Sequence, residues 1–209
     1  MGQYYMPTLI DNKGDITTLY SHEYDNGLKL MEHSWMGNNF VNAVITQLWK
    51  NPQKVAWIGD YSNEFYEEGD AYEKKIDHDE FEKIYNAVWS ERDECKIHPD
   101  EEEIIKRDGH DDIGNRCYLV NHTTRQYIDL ADYFEASMYK AKWMNKVMCV
   151  HPLPLLTACG NDRGGGDFHS EGVGYDLVGI WAFDVLELTN IQPDRFVRFQ
   201  PCFKEADAA

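Results

Sequence analysis

The chain has 209 residues, of which 43% are hydrophobic and 13% aromatic, enough to bury one substantial core and too apolar for a disordered chain. Its formal charge of −17 is regional: residues 60–112 hold 20 Asp/Glu against 7 Lys/Arg, a surface that repels phosphates and argues against direct nucleic-acid binding through that face. No apolar run approaches the roughly 20 residues of a membrane helix. The five cysteines, odd in number and without a C-x-x-C pair, argue against a disulfide framework and a structural zinc.

In chain order, Tyr4 to Ile10 and Ile16 to Tyr20 flank the turn Asp11-Asn12-Lys13-Gly14-Asp15 and predict a β-hairpin. Leu28 to Glu32 alternates apolar and polar residues as a half-buried strand does. Asn38 or Asn39 is a candidate N-cap, because Phe40, Ala43, Val44 and Leu48 recur at helical spacing; a helix is expected from Phe40 to Lys50, ended by Asn51-Pro52. Lys54 to Ile58 predicts a short strand. Phe81, Ile84, Tyr85, Val88 and Trp89 predict a helix from Asp79 to Glu91. The charged stretch from Asp93 to Asp112 has no clean period and is expected to be a loop, with one helical turn near Glu101 to Lys106.

Cys117 to Val120 and Tyr127 to Leu130 predict a second hairpin, and Asp132 to Lys142 a helix. Pro152 and Pro154 imply an extended entry into Leu155 to Ala158. Leu177 to Phe183 fits a buried strand bulged at Gly179, and Arg195 to Gln200 an edge strand closed by Pro201. Strands outnumber helices without alternating regularly with them. The expected fold is therefore α+β, one domain over 1–209 with a largely antiparallel or mixed sheet, two to four helices, and residues 60–112 as an acidic, helix-containing excursion.

The densest chemistry lies in Cys159-Gly160-Asn161-Asp162-Arg163-Gly164-Gly165-Gly166-Asp167-Phe168-His169. Glycine admits positive φ and close approach of a ligand to the backbone. Three expected strand ends present polar residues: His33-Ser34 with Asn38, Asp60-Tyr61, and this loop. Were they to converge, His33, Asp60 and His169 would be acid/base candidates, and Asn38, Asn161, Arg163, Gly164, Gly165, Gly166 and Asp167 would form an anion or nucleotide site. The loop matches neither nucleotide-binding glycine motif, and no H-x-x-x-H or H-E-x-x-H spacing points to a metal. No cofactor follows from the sequence.

Met1-Gly2-Gln3-Tyr4-Tyr5, Lys29-Leu30-Met31-Glu32-His33-Ser34-Trp35 with Gly37-Asn38, Trp57 with Gly59-Asp60-Tyr61, and His151-Pro152-Leu153-Pro154-Leu155-Leu156-Thr157-Ala158 with the glycine loop resemble a family of small uncharacterised proteins associated with phages and other mobile elements of Gram-positive bacteria. The resemblance covers most of the chain outside the acidic middle. It implies an accessory protein that acts on host machinery or host defence, and it carries over no catalytic residue. Two functions are accordingly expected as alternatives. One is an inhibitor that binds a host protein or nucleoprotein complex through its acidic surface. The other is a small enzyme acting on a nucleotide or phosphodiester through the Gly160–His169 loop. The first five residues have no basic segment leading into an apolar one, so no signal peptide and a cytoplasmic location are expected.

Overall fold

The computed structural model describes residues 1–49, 51–63, 74–97, 116–141 and 146–206. In chain order the elements are β1 (Tyr5–Ile10), β2 (Ile16–Thr18), α1 (Leu30–His33), α2 (Asn39–Gln47), β3 (Gln53–Gly59), α3 (His78–Trp89), α4 (Arg92–Cys95), β4 (Tyr118–Asn121), β5 (Gln126–Asp129), α5 (Leu130–Ser137), β6 (Tyr139–Ala141), β7 (Lys146–Met148), α6 (Pro152–Leu156), β8 (Ala158–Cys159), β9 (Asp184–Thr189) and β10 (Val197–Arg198). The protein is α+β. One mixed, mainly antiparallel sheet runs β10-β5-β4-β9-β3-β1-β2, with β8 added to β3, and β6 and β7 form a separate two-stranded ribbon.

β3 organises the sheet. On one edge it pairs antiparallel with β1 along six residues, Lys54 opposite Ile10 through Gly59 opposite Tyr5. Two strands share its other edge. β9 pairs with Gln53 to Val55, and β8 runs parallel to Trp57 and Ile58. Alternation along β1 and β3 sends Tyr5, Leu9, Val55 and Trp57 to one face and Met6, Ile10, Ala56 and Ile58 to the other. Both faces are covered, so the run Val55-Ala56-Trp57-Ile58 is apolar at every position, as a doubly buried strand requires.

α2 lays Phe40, Val41, Val44 and Ile45 on the first face together with Leu130 and Tyr133 of α5 and Leu153 to Leu156 around α6. α3 lays Phe81, Ile84 and Val88 on the second. The caps follow the local chemistry. Asn38 Oδ1 accepts from Phe40 N at 2.9 Å and Val41 N at 3.4 Å, Asp77 Oδ1 accepts from Glu80 N at 2.8 Å, and Asp129 Oδ1 accepts from Ala131 N at 3.2 Å.

Both expected hairpins, both central helices and the edge strand at β10 are present. Three expectations give way to tertiary partners. Leu28 to Glu32 is not a strand: α1 begins at Leu30, and Met31 N donates to Gly166 O at 3.0 Å instead of to a strand neighbour. Pro152 opens a helical turn rather than an extended segment. Its missing N–H costs nothing there, and His151 Nδ1 caps the turn by accepting from Leu153 N at 3.1 Å. The helix expected to reach Lys142 stops at Ser137, giving way to β6. The turn expected at 101–106 lies outside the described residues.

Leu177 to Phe183 is a fourth correction: β9 starts only at Asp184. The segment before it is a series of turns with Gly179 at φ +79° and Phe183 at φ +61°. Gly179 N donates to Leu155 O at 2.8 Å and Trp181 N to Leu156 O at 2.7 Å, so these residues follow α6 rather than a neighbouring strand. A Cβ at Gly179 would stand 2.6 Å from Ala158 O. Gly179→Ala is therefore expected to destabilise the protein by about 2 kcal/mol or more, from the positive φ and the collision with backbone together. A denaturant midpoint equal to that of the parent would contradict this packing.

Candidate functional site

The glycine loop closes on itself before it meets anything else. The Asn161 side chain pairs with the backbone of Phe168 on both sides, donating to its O at 3.0 Å and accepting from its N at 2.9 Å. Within the ring so formed, Asp167 Oδ2 accepts from Arg163 N at 2.8 Å and Gly164 N at 3.1 Å. Two adjacent backbone N–H groups aimed at one oxygen make an anion nest. Here the anion is the protein's own carboxylate, placed where a phosphate or carboxylate ligand would sit. Burial raises the Asp167 pKa, against the backbone donors, which lower it. Tyr5 is held against this carboxylate and has its own pKa raised well above the phenolic range, by burial first and by the Asp167 charge second.

The rest of the loop grips the start of the chain. Gly165 N donates to Met1 O at 3.0 Å, and Gln3 N donates to Gly165 O at 3.2 Å. Gly164 lies so close that a Cβ there would be 2.6 Å from both the backbone N and the Cβ of Gln3. Gly166, at φ +94°, is covered by the aliphatic stem of Lys29. The glycines thus serve close approach of backbone to backbone. The surface they approach is residues 1–3 and 29–31 of the same chain.

Gln3 was not singled out from the sequence, yet it sits at the centre of this arrangement. It is fully buried, on the same face as Tyr5 two residues on, and its amide fills the space left by the missing Cβ atoms of Gly59 and Gly160. A pair of glycines at the ends of two parallel neighbours, β3 and β8, is the pattern that could have pointed to it. Arg163 reaches the same end of β3, its Nη1 donating to Ser62 O at 3.3 Å.

The remaining candidates are engaged as follows. Asp60 continues the β1–β3 pairing: its Oδ1 accepts from Tyr4 N at 3.0 Å, its N donates to Tyr4 O at 2.9 Å, and its O accepts from Tyr85 Oη at 2.6 Å. Asn38 is the α2 cap, and its Nδ2 donates to Asn26 Oδ1 at 2.6 Å. His169 is exposed, with Nδ1 accepting from Glu171 N at 3.3 Å. His33 lies in the core. Trp57 Nε1 donates to its Nε2 at 2.9 Å, and its Nδ1 is 3.1 Å from Gly27 O. With Nε2 accepting, Nδ1 must carry the proton and donate, so the ring is one fixed neutral tautomer with neither nitrogen left for a substrate.

The structure thus brings Arg163, the glycines and Asp167 together with the Asp60–Ser62 turn. It separates His33, fully buried, from His169 on the surface. Among the described residues no group of three or more His, Cys, Asp or Glu is arranged to hold a metal ion. The class these features define is an α+β protein whose glycine loop is an internal clasp. No protein-family model, curated protein or solved structure matches the chain.

Two measurements check this assignment. Gly164→Ala must displace the backbone of Gln3, whereas a Cβ at Gly165 meets nothing nearer than Met1 O at 3.7 Å. Gly164→Ala is expected to cost about 2 kcal/mol more stability than Gly165→Ala, read from urea midpoints. Equal costs would mean that the loop does not press on residue 3.

The second measurement concerns pH. Burial lowers the His33 pKa from 6.5 to about 4 and that of His151 to about 3. The unfolded chain binds these protons first as pH falls, so the stability that the neutral rings contribute is complete above pH 6.5 and is lost towards pH 4 and below. Between pH 7 and pH 4.5, His33 alone is expected to remove about 2 to 3 kcal/mol. A urea midpoint that does not move over that interval would contradict the buried neutral state.

Proposed function

We propose that this is a binding protein whose acidic surface engages a basic surface on a partner protein or nucleoprotein complex, as an inhibitor of the kind that the mobile-element resemblance implies. The observation that carries this reading is the way charge is displayed on α3. The helix buries Phe81, Ile84 and Val88 and turns Asp79, Glu80 and Glu82 outward, within a region of net charge −13. From residue 77 to Asn86 that outward face carries a single Lys or Arg, Lys83, beside His78. A concentration of one sign steers association with an oppositely charged groove and suppresses like-charged partners.

The internal use of the loop supports the same reading over the enzymatic one. The N–H groups that would hold a phosphate hold Asp167, and His33 has no nitrogen to offer. No helix among the described residues is long and apolar enough to cross a membrane.

Affinity capture from a Gram-positive host lysate, with the parent and an Asp79→Lys/Glu82→Lys variant side by side, tests the proposal. A specific partner is expected at low salt, weakened at least tenfold by the charge reversals and by raising ionic strength to a few hundred millimolar, where the screening length falls to about 5 Å. Capture that is indifferent to both would remove the acidic face from the interaction. A thermal shift with a nucleotide and no captured partner would favour the enzyme instead.

A further inference from the structure

Away from the loop, the carboxylate of Asp184 meets the amine of Lys75 and the amide of Asn121. Asp184, the first residue of β9, and Asn121, the last of β4, are fully buried, and the Lys75 side chain is 22% exposed. Asp184 bridges the other two. Its Oδ1 is 2.9 Å from Lys75 Nζ as an ion pair, the ammonium's aligned hydrogen bond going to Ile180 O at 2.6 Å, and its Oδ2 accepts from Asn121 Nδ2 at 2.8 Å. Asn121 Oδ1 in turn accepts from Thr124 N at 3.0 Å.

Each contact has a role in amide exchange. A backbone N–H on the carboxamide oxygen stabilises negative charge developing there when a nucleophile adds to the carbon. A carboxylate touching both nitrogens can take a proton from one and deliver it to the other.

From this geometry we infer that Lys75 and Asn121 become joined by a side-chain amide, in a reaction that needs no cofactor. Asp184 takes a proton from Lys75 Nζ, and the amine adds to Asn121 Cγ. The oxygen of the resulting tetrahedral centre is held by Thr124 N–H. Asp184 returns its proton to Nδ2, the Cγ–Nδ2 bond breaks, and ammonia leaves with the remaining surplus amine proton as ammonium. Asp184 ends as the carboxylate, and neither oxidation nor reduction occurs. The new bond ties the segment before α3 to the end of β4.

Peptide mapping of the folded protein by mass spectrometry, after denaturation and proteolysis, decides the matter. The expected product is a branched peptide linking Lys75 to Asn121, lighter than its two parts by about 17 Da, the mass of ammonia. It should be missing from Lys75→Arg. Should that variant fail to fold, the parent protein decides by itself: Lys75 and Asn121 peptides recovered separately at full mass would overturn the inference and leave a plain buried ion pair. A branch lighter by about 18 Da and ending on Asp184 would also overturn it, since the leaving group would then be water from the acid.

Discussion

Every backbone polar group of β3 has to be satisfied while both of its faces are buried, and most of the fold is arranged around that requirement. β1 supplies one edge from Lys54 to Gly59. The other edge is shared, because β9 cannot start before Asp184 and β8 lasts only two residues. At the handover between them Phe183 N donates to Val55 O at 2.8 Å, and Trp57 N donates to Thr157 O, just ahead of β8, at 2.7 Å. Trp57, the largest side chain this strand buries, brings an indole N–H into the same dry interior, and the His33 ring answers it. Phe40 stands edge-on to both rings, so the tautomer, the helix α2 and the strand are one packing unit.

The elements legible in the sequence are those whose cause is local. The first hairpin rests on Asp11, whose Oδ1 accepts from Lys13 N and Asp15 N, and α2 and α3 rest on an apolar stripe with a capping side chain one residue ahead. Where the cause is distant, the reading failed. Five alternating residues from Leu28 to Glu32 fit a strand as well as a helical turn, and a hydrogen bond to Gly166 decides between them. Leu177 to Phe183 is apolar enough for a strand, but the N–H groups of Gly179 and Trp181 donate to carbonyls of α6 and most of the others close local turns.

The candidate site divides along the same line. That the Gly160–His169 loop makes close backbone contacts was readable from four glycines. What it contacts was not, because the partner segments lie more than 130 residues earlier in the chain. Polar residues at strand ends suggested solvent-facing chemistry. In the fold they complete the hydrogen bonding of nearby backbone: Asp60 for Tyr4 beside β1, Asn161 for Phe168 and Asp167 for Gly164 within the loop. Such residues are costly to leave unpaired when buried, and a chain can meet that cost internally as well as with a ligand.

The position of β9 has a consequence for the order in which the molecule can be assembled. It lies between β3 and β4, pairing antiparallel with each, and so joins a half-sheet of β1, β2 and β3 to one of β4, β5 and β10. During synthesis the strands on either side of it emerge first, each with an open edge facing a gap. Non-local pairing of this kind slows folding, and open edges invite pairing with other chains. A nascent chain halted between residues 130 and 184 would hold two unfinished sheets with no strand to unite them. Completion of the sheet therefore waits for β9, and the interval before it is when the chain most needs a chaperone.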